Sequence, residues 1–514
     1  MSARVAVVGG GLAGLAAALR LATRGVEVVL FERQRALGGK AGEVRVGGYR
    51  FDTGPTLVTL PDVVQRTFAD AGGAAPRMEA LDPLVRTVLP SGRVWEVRRD
   101  AARTAAALPP EQGRVYLGLL DEARRLFEGA APTFVYGPKP GPAALLRYAL
   151  AHGRAAHPFL RMDELVRRRG ADPDLEAFFL RFATYAGADP YRAPAVLLNI
   201  AWAELGLGAV RLDGGVHALV RALAARAGEL GVRLCTGAEV EGLVLERGRV
   251  RAVQASGATL EVDAVVSAAE RTVSYALAGS RPPPERAPPS SSGFVLLLGV
   301  EGSDPGGPLH TVLFPRDYRA EFDDLRLGRL PTDPTLYVHV GARSGGADAP
   351  PGHENWFVMV NAPPLSEGAG DDPVAAALPP SSGYAPPDLP PLLDPDGTPA
   401  TAAETAYAAR VLAALEVRAG LSRRRLRVWR LVGPRQLAAT GHRGSIYGSA
   451  PAGLLGALRP APRVPGVTNL ALAGGTVHPG GGIPLALLSG RHAADAVLGV
   501  GAGAPSGPGT AGVG

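Results

Sequence analysis

Three glycines near the start of the chain have the spacing of a phosphate-binding turn. Gly9, Gly11 and Gly14 form the pattern G-x-G-x-x-G, with Leu12 and Ala13 between the last two. The first glycine permits a tight turn, the second lets the backbone approach a pyrophosphate, and the third allows a helix to pack closely on a strand. A helix that starts here directs free N–H groups and a partial positive charge at the phosphates. The segment therefore predicts a dinucleotide site.

One carboxylate, that of Glu32, is placed where a dinucleotide site has a hydrogen-bond acceptor for the ribose. Glu32 follows Gly14 by 18 residues, at the predicted end of the second strand. A carboxylate at this position accepts hydrogen bonds from the hydroxyls of the adenosine ribose. It disfavours a 2′-phosphate, which argues against NADP as the ligand.

The residues around the glycines have the pattern of a strand, a turn, a helix and a second strand. Residues 5–8 are an uninterrupted apolar run, which is typical of a parallel strand buried on both faces. Residues 12–23 are rich in Ala and Leu and predict a helix, and residues 26–31 predict the next strand. These elements place the glycines after one strand and Glu32 at the end of its neighbour.

The segment after Glu32 separates FAD from NAD. Arg33 comes next, and Gly38, Gly39 and Lys40 follow. The glycines allow a loop to pass close to the dinucleotide, and Lys40 reaches a phosphate. This segment resembles the flavin amine oxidase superfamily, which contains amine oxidases, protoporphyrinogen oxidases and carotenoid desaturases. The resemblance implies FAD, bound non-covalently because no Cys or His lies in an evident flavin-linkage motif.

The C-terminal residues 469–484 predict a strand, a turn and a helix start. They resemble the closing signature of bacterial carotenoid desaturases of the phytoene desaturase type. The resemblance implies that a glycine pair approaches the ribityl and pyrophosphate groups and that the helix start faces the pyrimidine end of the flavin. Residues 51–56 resemble the flavin-side loop of the same family. The cofactor-binding residues added by this resemblance are Pro55, Thr56, Val240, Gly474, Gly475, Gly482, Ile483 and Pro484.

Two further segments resemble one branch of that family. Residues 181–204 and 444–448 are similar to the hydroxyneurosporene and 1-hydroxycarotenoid 3,4-desaturases. This resemblance implies an acyclic or monocyclic carotenoid substrate that carries a hydroxyl at C1. A buried polar partner for that hydroxyl discriminates against the deoxy analogue, because the partner would then be left unpaired. The candidates for this partner are Tyr185, Asn199 and Trp202.

The implied reaction removes two hydrogens from a saturated C–C bond beside a polyene. The flavin takes a hydride and a neighbouring proton is lost, so the protein mainly supplies alignment and a dry tunnel. We identify no catalytic side chain. A phytoene desaturase, with the same chemistry on an earlier substrate, is an alternative, and so is a non-catalytic flavin- and carotenoid-binding protein. An amine oxidase is disfavoured because residues 469–492 contain no Phe, Trp or Tyr to frame an amine.

The predicted architecture is α/β, with a discontinuous Rossmann-like FAD-binding domain and an inserted α+β substrate domain. The segments of the FAD-binding domain are 1–107, 216–280 and 431–498. Residues 108–215 predict a mainly helical inserted region that faces substrate or membrane, with breaks at prolines that include Pro132. Residues 281–430 predict the sheet of the substrate domain, with a Pro-rich insertion at 363–399. Residues 499–514 predict a disordered tail.

The composition narrows the class of protein further. The 514 residues are 46% hydrophobic and 20% charged, as in ordinary globular proteins. The net charge is +6, but no basic aromatic motif accompanies it, which argues against a nucleic-acid partner. A single cysteine, Cys235, excludes an intrachain disulfide and a multi-cysteine metal site, and we predict no metal. No stretch reaches the roughly 20 apolar residues of a spanning helix.

The predicted partners follow from the substrate. A C40 hydrocarbon does not diffuse through water, because each CH₂ group gains about 0.8 kcal/mol on burial. We therefore expect a cytoplasmic protein in peripheral contact with the inner face of the cell membrane, through apolar turns between residues 115 and 210. A quinone or oxygen is the candidate terminal electron acceptor.

Overall fold

The computed structural model describes residues 3–284, 287–366, 374, 377–378, 389–453 and 458–499. Apart from Gly499, the predicted tail lies outside these residues, as does much of the Pro-rich insertion.

Within this part of the chain the strands are β1 (Arg4–Val8), β2 (Glu27–Glu32), β3 (Glu43–Val46), β4 (Tyr49–Asp52), β5 (Val58–Thr59), β6 (Met78–Ala80), β7 (Val85–Val88), β8 (Val94–Val97), β9 (Ala209–Leu212), β10 (Arg233–Thr236), β11 (Val240–Glu246), β12 (Arg249–Ala255), β13 (Ala258–Glu261), β14 (Ala264–Ser267), β15 (Ser292–Glu301), β16 (His310–Leu313), β17 (Leu336–Val340), β18 (His353–Ala362), β19 (Leu426–Val432) and β20 (Leu470–Leu472).

The α-helices in the same part are α1 (Leu12–Ala22), α2 (Pro61–Asp70), α3 (Ala101–Ala106), α4 (Pro110–Phe134), α5 (Pro142–His152), α6 (Met162–Arg168), α7 (Pro173–Leu180), α8 (Asn199–Ala201), α9 (Val216–Glu229), α10 (Arg271–Leu277), α11 (Tyr318–Arg326), α12 (Ala402–Ala419), α13 (Pro434–Leu437) and α14 (Ile483–Val497).

A five-stranded parallel sheet forms the first half of the molecule, in the order β10-β2-β1-β14-β20. Val7 of β1 pairs with Leu30 of β2 on one side and with Val266 of β14 on the other. Helices α1, α9 and α14 pack on one face, and the sheet β11-β12-β13 covers the other. The strands come from both ends and the middle of the chain, and the α/β prediction is confirmed. Ligands of such sheets bind beyond the carboxyl ends of the strands, where the strand order reverses.

A seven-stranded sheet forms the second half, in the order β19-β15-β18-β17-β16-β7-β8. Its centre is the antiparallel pair β15 and β18, whose register runs over ten residues from Ser292 opposite Ala362 to Glu301 opposite His353. Helix α12 packs on one face. Strands β7 and β8 also belong to this sheet, because β7 runs parallel to β16. The domain limits themselves stay a prediction, although β7 and β8 fall inside the segment 1–107.

The region between β8 and β9 is helical, and it packs around a core of aromatic side chains. The break predicted at Pro132 is wrong, because α4 continues through this residue to Phe134. Pro132 lies in the last turn of α4, so the helix loses the one hydrogen bond that its missing N–H would have donated and ends two residues later. Among the described residues, no helix combines the length and the apolar character needed to cross a bilayer.

Candidate functional site

The glycine turn brings the start of α1 against the carboxyl end of β1. The N–H of Gly9 donates to the carbonyl of Phe31 at 2.7 Å, and the φ of Gly9 is +100°, a conformation that favours glycine. A Cβ on Gly14 would lie 1.9 Å from the carbonyl oxygen of Gly9, so only glycine allows this contact. Gly11 precedes the first helical residue, and its nearest non-local neighbour lies 3.8 Å from where a Cβ would be. The backbone at Gly11 is therefore open to a ligand.

Glu32 is fixed at the rim of this turn. It is buried, and its Oε2 accepts from the N–H of Gly10 at 2.7 Å while its Oε1 accepts from the N–H of Gln34 at 2.8 Å. Each carboxylate oxygen keeps a further lone pair. The carboxylate is thus oriented by backbone and still able to accept hydrogen bonds from a ribose.

The loop after β2 folds back over the glycine turn. The N–H of Gly38 donates to the carbonyl of Gly10 at 2.9 Å, and a Cβ on Gly38 would lie 2.8 Å from the carbonyl oxygen of Ala41. Arg33 is exposed and donates to the carbonyl of Ala439. The loop and the turn together form two walls of one crevice.

Lys40 is held by the segment 444–448. Its Nζ donates to the carbonyl oxygen of Ile446 at 2.5 Å. Burial lowers the pKa of Lys40 to about 8, and the charge of Glu270 opposes this shift. The phosphate contact expected for Lys40 stays a prediction, because the side chain is held here by a carbonyl of the 444–448 segment.

The closing segment completes the crevice from the other end of the chain. The N–H of Gly474 donates to Oγ of Ser489 at 3.0 Å, and the φ of Gly474 is +115°. Gly482 caps α14, which begins with Ile483 and Pro484. No non-local atom lies within 4 Å of the position a Cβ would take on Gly482. The start of α14 therefore presents free backbone to the crevice.

One cavity of about 1450 Å³ joins these parts. Small-molecule sites usually measure about 300–1,000 Å³, so this cavity has room for more than one ligand of ordinary size. Within the described part of the chain, Gly14 is the predicted cofactor residue that does not line it, in keeping with its packing role. The predicted residues that do line it are Gly9, Gly11, Leu12, Ala13, Glu32, Arg33, Gly38, Gly39, Lys40, Pro55, Thr56, Val240, Gly474, Gly475, Gly482, Ile483 and Pro484.

The crevice fits FAD in shape and in chemistry. Open backbone at Gly11, Gly474 and Gly482 leaves space that any side chain would fill. Two helix starts, those of α1 and α14, direct N–H groups into that space, and Glu32 supplies the ribose acceptor. FAD bound here supplies a hydride acceptor. The chain supplies the position of the cofactor and an enclosure that limits water.

Beyond the crevice, the cavity continues along the face of the seven-stranded sheet opposite α12. Its wall there is formed largely by apolar and aromatic side chains of β15, β16 and β18, which include Val295, Val312, Phe357 and Met359. The hydroxyl of Tyr337 on β17 lies 2.5 Å from Oγ1 of Thr56. The flavin-side loop is therefore joined directly to the sheet that lines the rest of the cavity.

The three substrate candidates lie in different surroundings. Tyr185 and Asn199 line the cavity. Asn199 shares a helical face with Val196 and Ala203, which also line it. Trp202 does not line the cavity, because its ring packs on the backbone of Gly206 and between the two large cores. Trp202 is therefore not brought together with the other two.

Two functional candidates were missed by sequence reasoning. Arg181 and Glu204 are buried, and Nη2 of Arg181 donates to Oε1 of Glu204 at 2.8 Å. Tyr185 bonds both of them. The available signal was the four-residue spacing of Arg181 and Tyr185 in an otherwise apolar helical segment, which places them on one side of a helix.

The fold and this site define a class of protein. FAD-dependent oxidoreductases typically bind their cofactor with this combination of features: a parallel sheet with a glycine turn, an acidic residue at a strand end, and a helix start from the far end of the chain. Residues 12–297 match the family model described as flavin containing amine oxidoreductase. The chain belongs to this family, and the prediction of FAD is confirmed.

The most similar relatives include bacterial carotenoid desaturases. The hydroxyneurosporene desaturase of Rubrivivax gelatinosus is 33% identical, over 96% of this chain and 93% of its own. The phytoene dehydrogenase of Streptomyces griseus is 33% identical, over 96% and 95%. The 1-hydroxycarotenoid 3,4-desaturase of a Flavobacterium is 28% identical, over 96% and 98%. The resemblance to carotenoid desaturases is thereby confirmed.

Solved structures share the fold at low identity. An oxidoreductase from Methanosarcina mazei has a TM-score of 0.62 at 14% identity, covering 96% of this chain and all of that one. A wild-type putrescine oxidase also has a TM-score of 0.62, at 15% identity, covering 97% and 99%. These similarities support the two-part architecture.

Proposed function

We propose that this protein is a carotenoid desaturase that introduces the C3,4 double bond of a 1-hydroxycarotenoid. The observation that carries the proposal is the single cavity that runs from the FAD crevice along an apolar sheet face. An apolar substrate placed in that cavity lies against the cofactor with most of its surface shielded from water. The names of the relatives support a carotenoid as the substrate, and they include both hydroxylated and earlier substrates.

The reaction breaks two C–H bonds and forms one π bond. FAD held by the glycine turn, Glu32 and the start of α14 would take the hydrogen of one bond with its electron pair as a hydride, and the other hydrogen would be released as a proton. The electron pair of the second C–H bond becomes the new π bond. The protein holds the C3–C4 bond at the cofactor and excludes water, which are the tasks that an apolar cavity performs. A quinone or oxygen then accepts the two electrons.

A membrane is the proposed source of the substrate. Helix α5 separates the cavity from solvent: Leu145 and Tyr148 line the cavity, whereas Leu146 and Leu150 are 61% and 80% exposed. Phe159, shortly after the helix, is 88% exposed. Leu146 and Leu150 lie one helical turn apart on α5, and Phe159 follows Pro158, which lines the cavity, so we treat these three exposed side chains as one apolar surface outside the cavity. We call this surface the α5 patch.

The charge around the α5 patch suits an anionic bilayer. Arg147 and Arg154 are exposed beside it. Basic residues next to an apolar surface favour the anionic inner leaflet, by about 1 kcal/mol each. We therefore place the contact at the inner face of the cell membrane, with the substrate entering past α5.

The proposal is tested in cells that accumulate either phytoene or a 1-hydroxycarotenoid. Expression of the protein should convert the hydroxylated carotenoid to a product with one more conjugated double bond, as seen by chromatography, and should leave phytoene largely unchanged. Efficient conversion of phytoene with the hydroxylated substrate untouched would favour the phytoene desaturase alternative. Binding of carotenoid without any product would favour the non-catalytic alternative.

A further inference from the structure

A buried polar network interrupts the apolar wall of the cavity. The phenol oxygen of Tyr185 donates to Oε2 of Glu204 at 2.8 Å and accepts from Nη1 of Arg181 at 2.8 Å. Nη2 of Arg181 closes the triangle with Oε1 of Glu204 at 2.8 Å. Arg181 is 5% exposed and Glu204 is 2% exposed, and both Arg181 and Tyr185 line the cavity. We call these three residues the Arg–Tyr–Glu network.

Stability does not account for such a network. Burying an ion pair costs desolvation that its attraction barely repays, and apolar residues of similar size usually serve a core as well. The guanidinium of Arg181 lies 4.2 Å from the ring centroid of Phe182, while its buried Nε has no hydrogen-bond partner within the described part of the chain. Glu204 lies in the π-helical turn Trp202–Gly206. π-Helical turns are frequent at functional sites.

The geometry of the reaction limits where a C1 hydroxyl can lie. Four single bonds of about 1.5 Å join its oxygen to C4, so the oxygen stays within about 5 Å of the reacting carbon. That carbon must be held about 3–3.5 Å from the hydride acceptor. A partner for the hydroxyl must therefore lie at the junction where the substrate part of the cavity meets the FAD crevice.

The Arg–Tyr–Glu network lies beside that junction. The carbonyl of Ala186, next to Tyr185, accepts from Nη2 of Arg459 at 3.2 Å, and Nε of Arg459 lies 3.4 Å from where a Cβ on Gly480 would be, two residues before Gly482 at the start of α14. Burial raises the pKa of Tyr185 well above 10; Arg181 opposes this rise, whereas Glu204 and Tyr337 add to it. The phenol is therefore protonated. Its oxygen donates one hydrogen bond and accepts one, and it keeps a lone pair for a second donor.

We propose that Arg181, Tyr185 and Glu204 form a hydroxyl-binding subsite that selects 1-hydroxylated carotenoids. The inference rests on the proposed function and names the residues behind its substrate choice. The substrate hydroxyl donates to the phenol oxygen of Tyr185, which Arg181 and Glu204 hold in place. The deoxy analogue makes no such bond and brings its methyl groups against a polar wall. Recognition of this kind separates substrates that differ by a single hydroxyl.

The test compares two substrates on each purified holoprotein variant. The quantity measured is the ratio of kcat/KM for a 1-hydroxycarotenoid to kcat/KM for its deoxy analogue. Tyr185→Phe removes the phenol oxygen and should lower this ratio roughly tenfold to a hundredfold. Tyr116→Phe is the matched control: Tyr116 is fully buried in the same core and lies outside the cavity. This control should leave the ratio unchanged.

A second variant decides the question if Tyr185→Phe does not fold, as judged by flavin content and melting temperature. Arg181→Lys keeps the charge beside Glu204 but loses the guanidinium fork that holds the phenol. It should lower the ratio several-fold. A ratio that stays at the wild-type value in a folded variant overturns the inference, and so does a wild-type enzyme that converts both substrates equally. A wild-type enzyme that converts neither contradicts the proposed function instead.

Discussion

The two ends of the cavity are built from different parts of the polypeptide. The cofactor end consists mainly of backbone, exposed at Gly11, Gly474 and Gly482, where any Cβ would enter the ligand space. The substrate end consists of side chains on a sheet and on short helical turns, and it includes the buried Arg181, which pairs with Glu204. Where a ligand contacts backbone, a larger side chain fills the space of the ligand, so few substitutions are compatible with binding. Where a ligand contacts side chains, a few substitutions can change which ligand binds.

This difference has a consequence for relatives of the chain. The cofactor end is expected to keep one chemistry, whereas the substrate end determines which carotenoid is bound. Variants of the two ends should therefore have different defects. Variants of the cofactor end should bind less flavin, and variants of the substrate end should keep their flavin but convert a different substrate.

The largest effect is expected from a side chain in the glycine turn. Gly14→Val would bring its Cβ within 1.9 Å of the Gly9 carbonyl, so α1 would move off β1 and the FAD crevice would be lost. We expect little folded holoprotein, measured as flavin per protein and by melting temperature. Gly118→Ala is the control, because Gly118 lies within α4 with open space around it. It should raise stability by about 0.5–1 kcal/mol. Normal flavin content in Gly14→Val would contradict the packing role.

The next largest effect concerns the α5 patch, which lies outside the substrate end of the cavity. The triple substitution of Leu146, Leu150 and Phe159 by Ser should weaken liposome binding at least a hundredfold, because each side chain gains about 1.5–3 kcal/mol on burial. Flavin content should not change.

The control for the membrane test is a triple Ser variant of apolar residues that are exposed elsewhere. Val94, Leu327 and Val417 are 61%, 64% and 87% exposed. Their substitution should leave liposome binding at the wild-type level. Equal loss of binding in both triple variants would show that the α5 patch has no special role.

An intermediate effect is expected at Glu32, the predicted acceptor of hydrogen bonds from the ribose of FAD. Glu32→Ala should raise the dissociation constant of FAD roughly tenfold to a hundredfold, since hydrogen bonds to a charged group contribute about 1.5–3 kcal/mol. Glu27→Ala, at the other end of β2, removes only a half-exposed pair with Arg4 and should leave the constant unchanged. Flavin titration of the apoproteins measures both. Similar dissociation constants of FAD for the two variants would show that Glu32 does not contribute to FAD binding.

Much of the cofactor end was predictable because its signals are local. The glycine turn, Glu32 and the start of α14 each depend on a few consecutive residues. Strand β7 was not assigned to the second sheet, because its partner β16 lies more than 200 residues further along the chain. The pairing of Arg181 with Glu204 was missed for a similar reason: it depends on two helical turns meeting in space. Neither the hydrophobic periodicity of the sequence nor its composition carries information about such contacts.

The effect that is smallest over a single pH unit is a pH dependence of stability at Lys40. Burial lowers its pKa in the folded protein from 10.5 to about 8. Between these two values the unfolded chain binds more protons than the folded one, so stability should rise with pH, by at most about 1.4 kcal/mol per pH unit. Below pH 8 and above pH 10.5 this contribution is flat. Denaturant unfolding of apoprotein and of apo Lys40→Met measures the difference. A difference between the two proteins that does not depend on pH would contradict the lowered pKa.

The proposed desaturation requires that a carotenoid in the cavity give up a hydride to the bound flavin. Holoprotein is mixed anaerobically with a 1-hydroxycarotenoid in liposomes, and the absorbance of flavin and carotenoid is followed together. We expect flavin absorbance to fall while the carotenoid spectrum moves to longer wavelength, with one rate constant and one double bond formed per flavin. A carotenoid that binds while both spectra stay unchanged would contradict hydride transfer to the flavin.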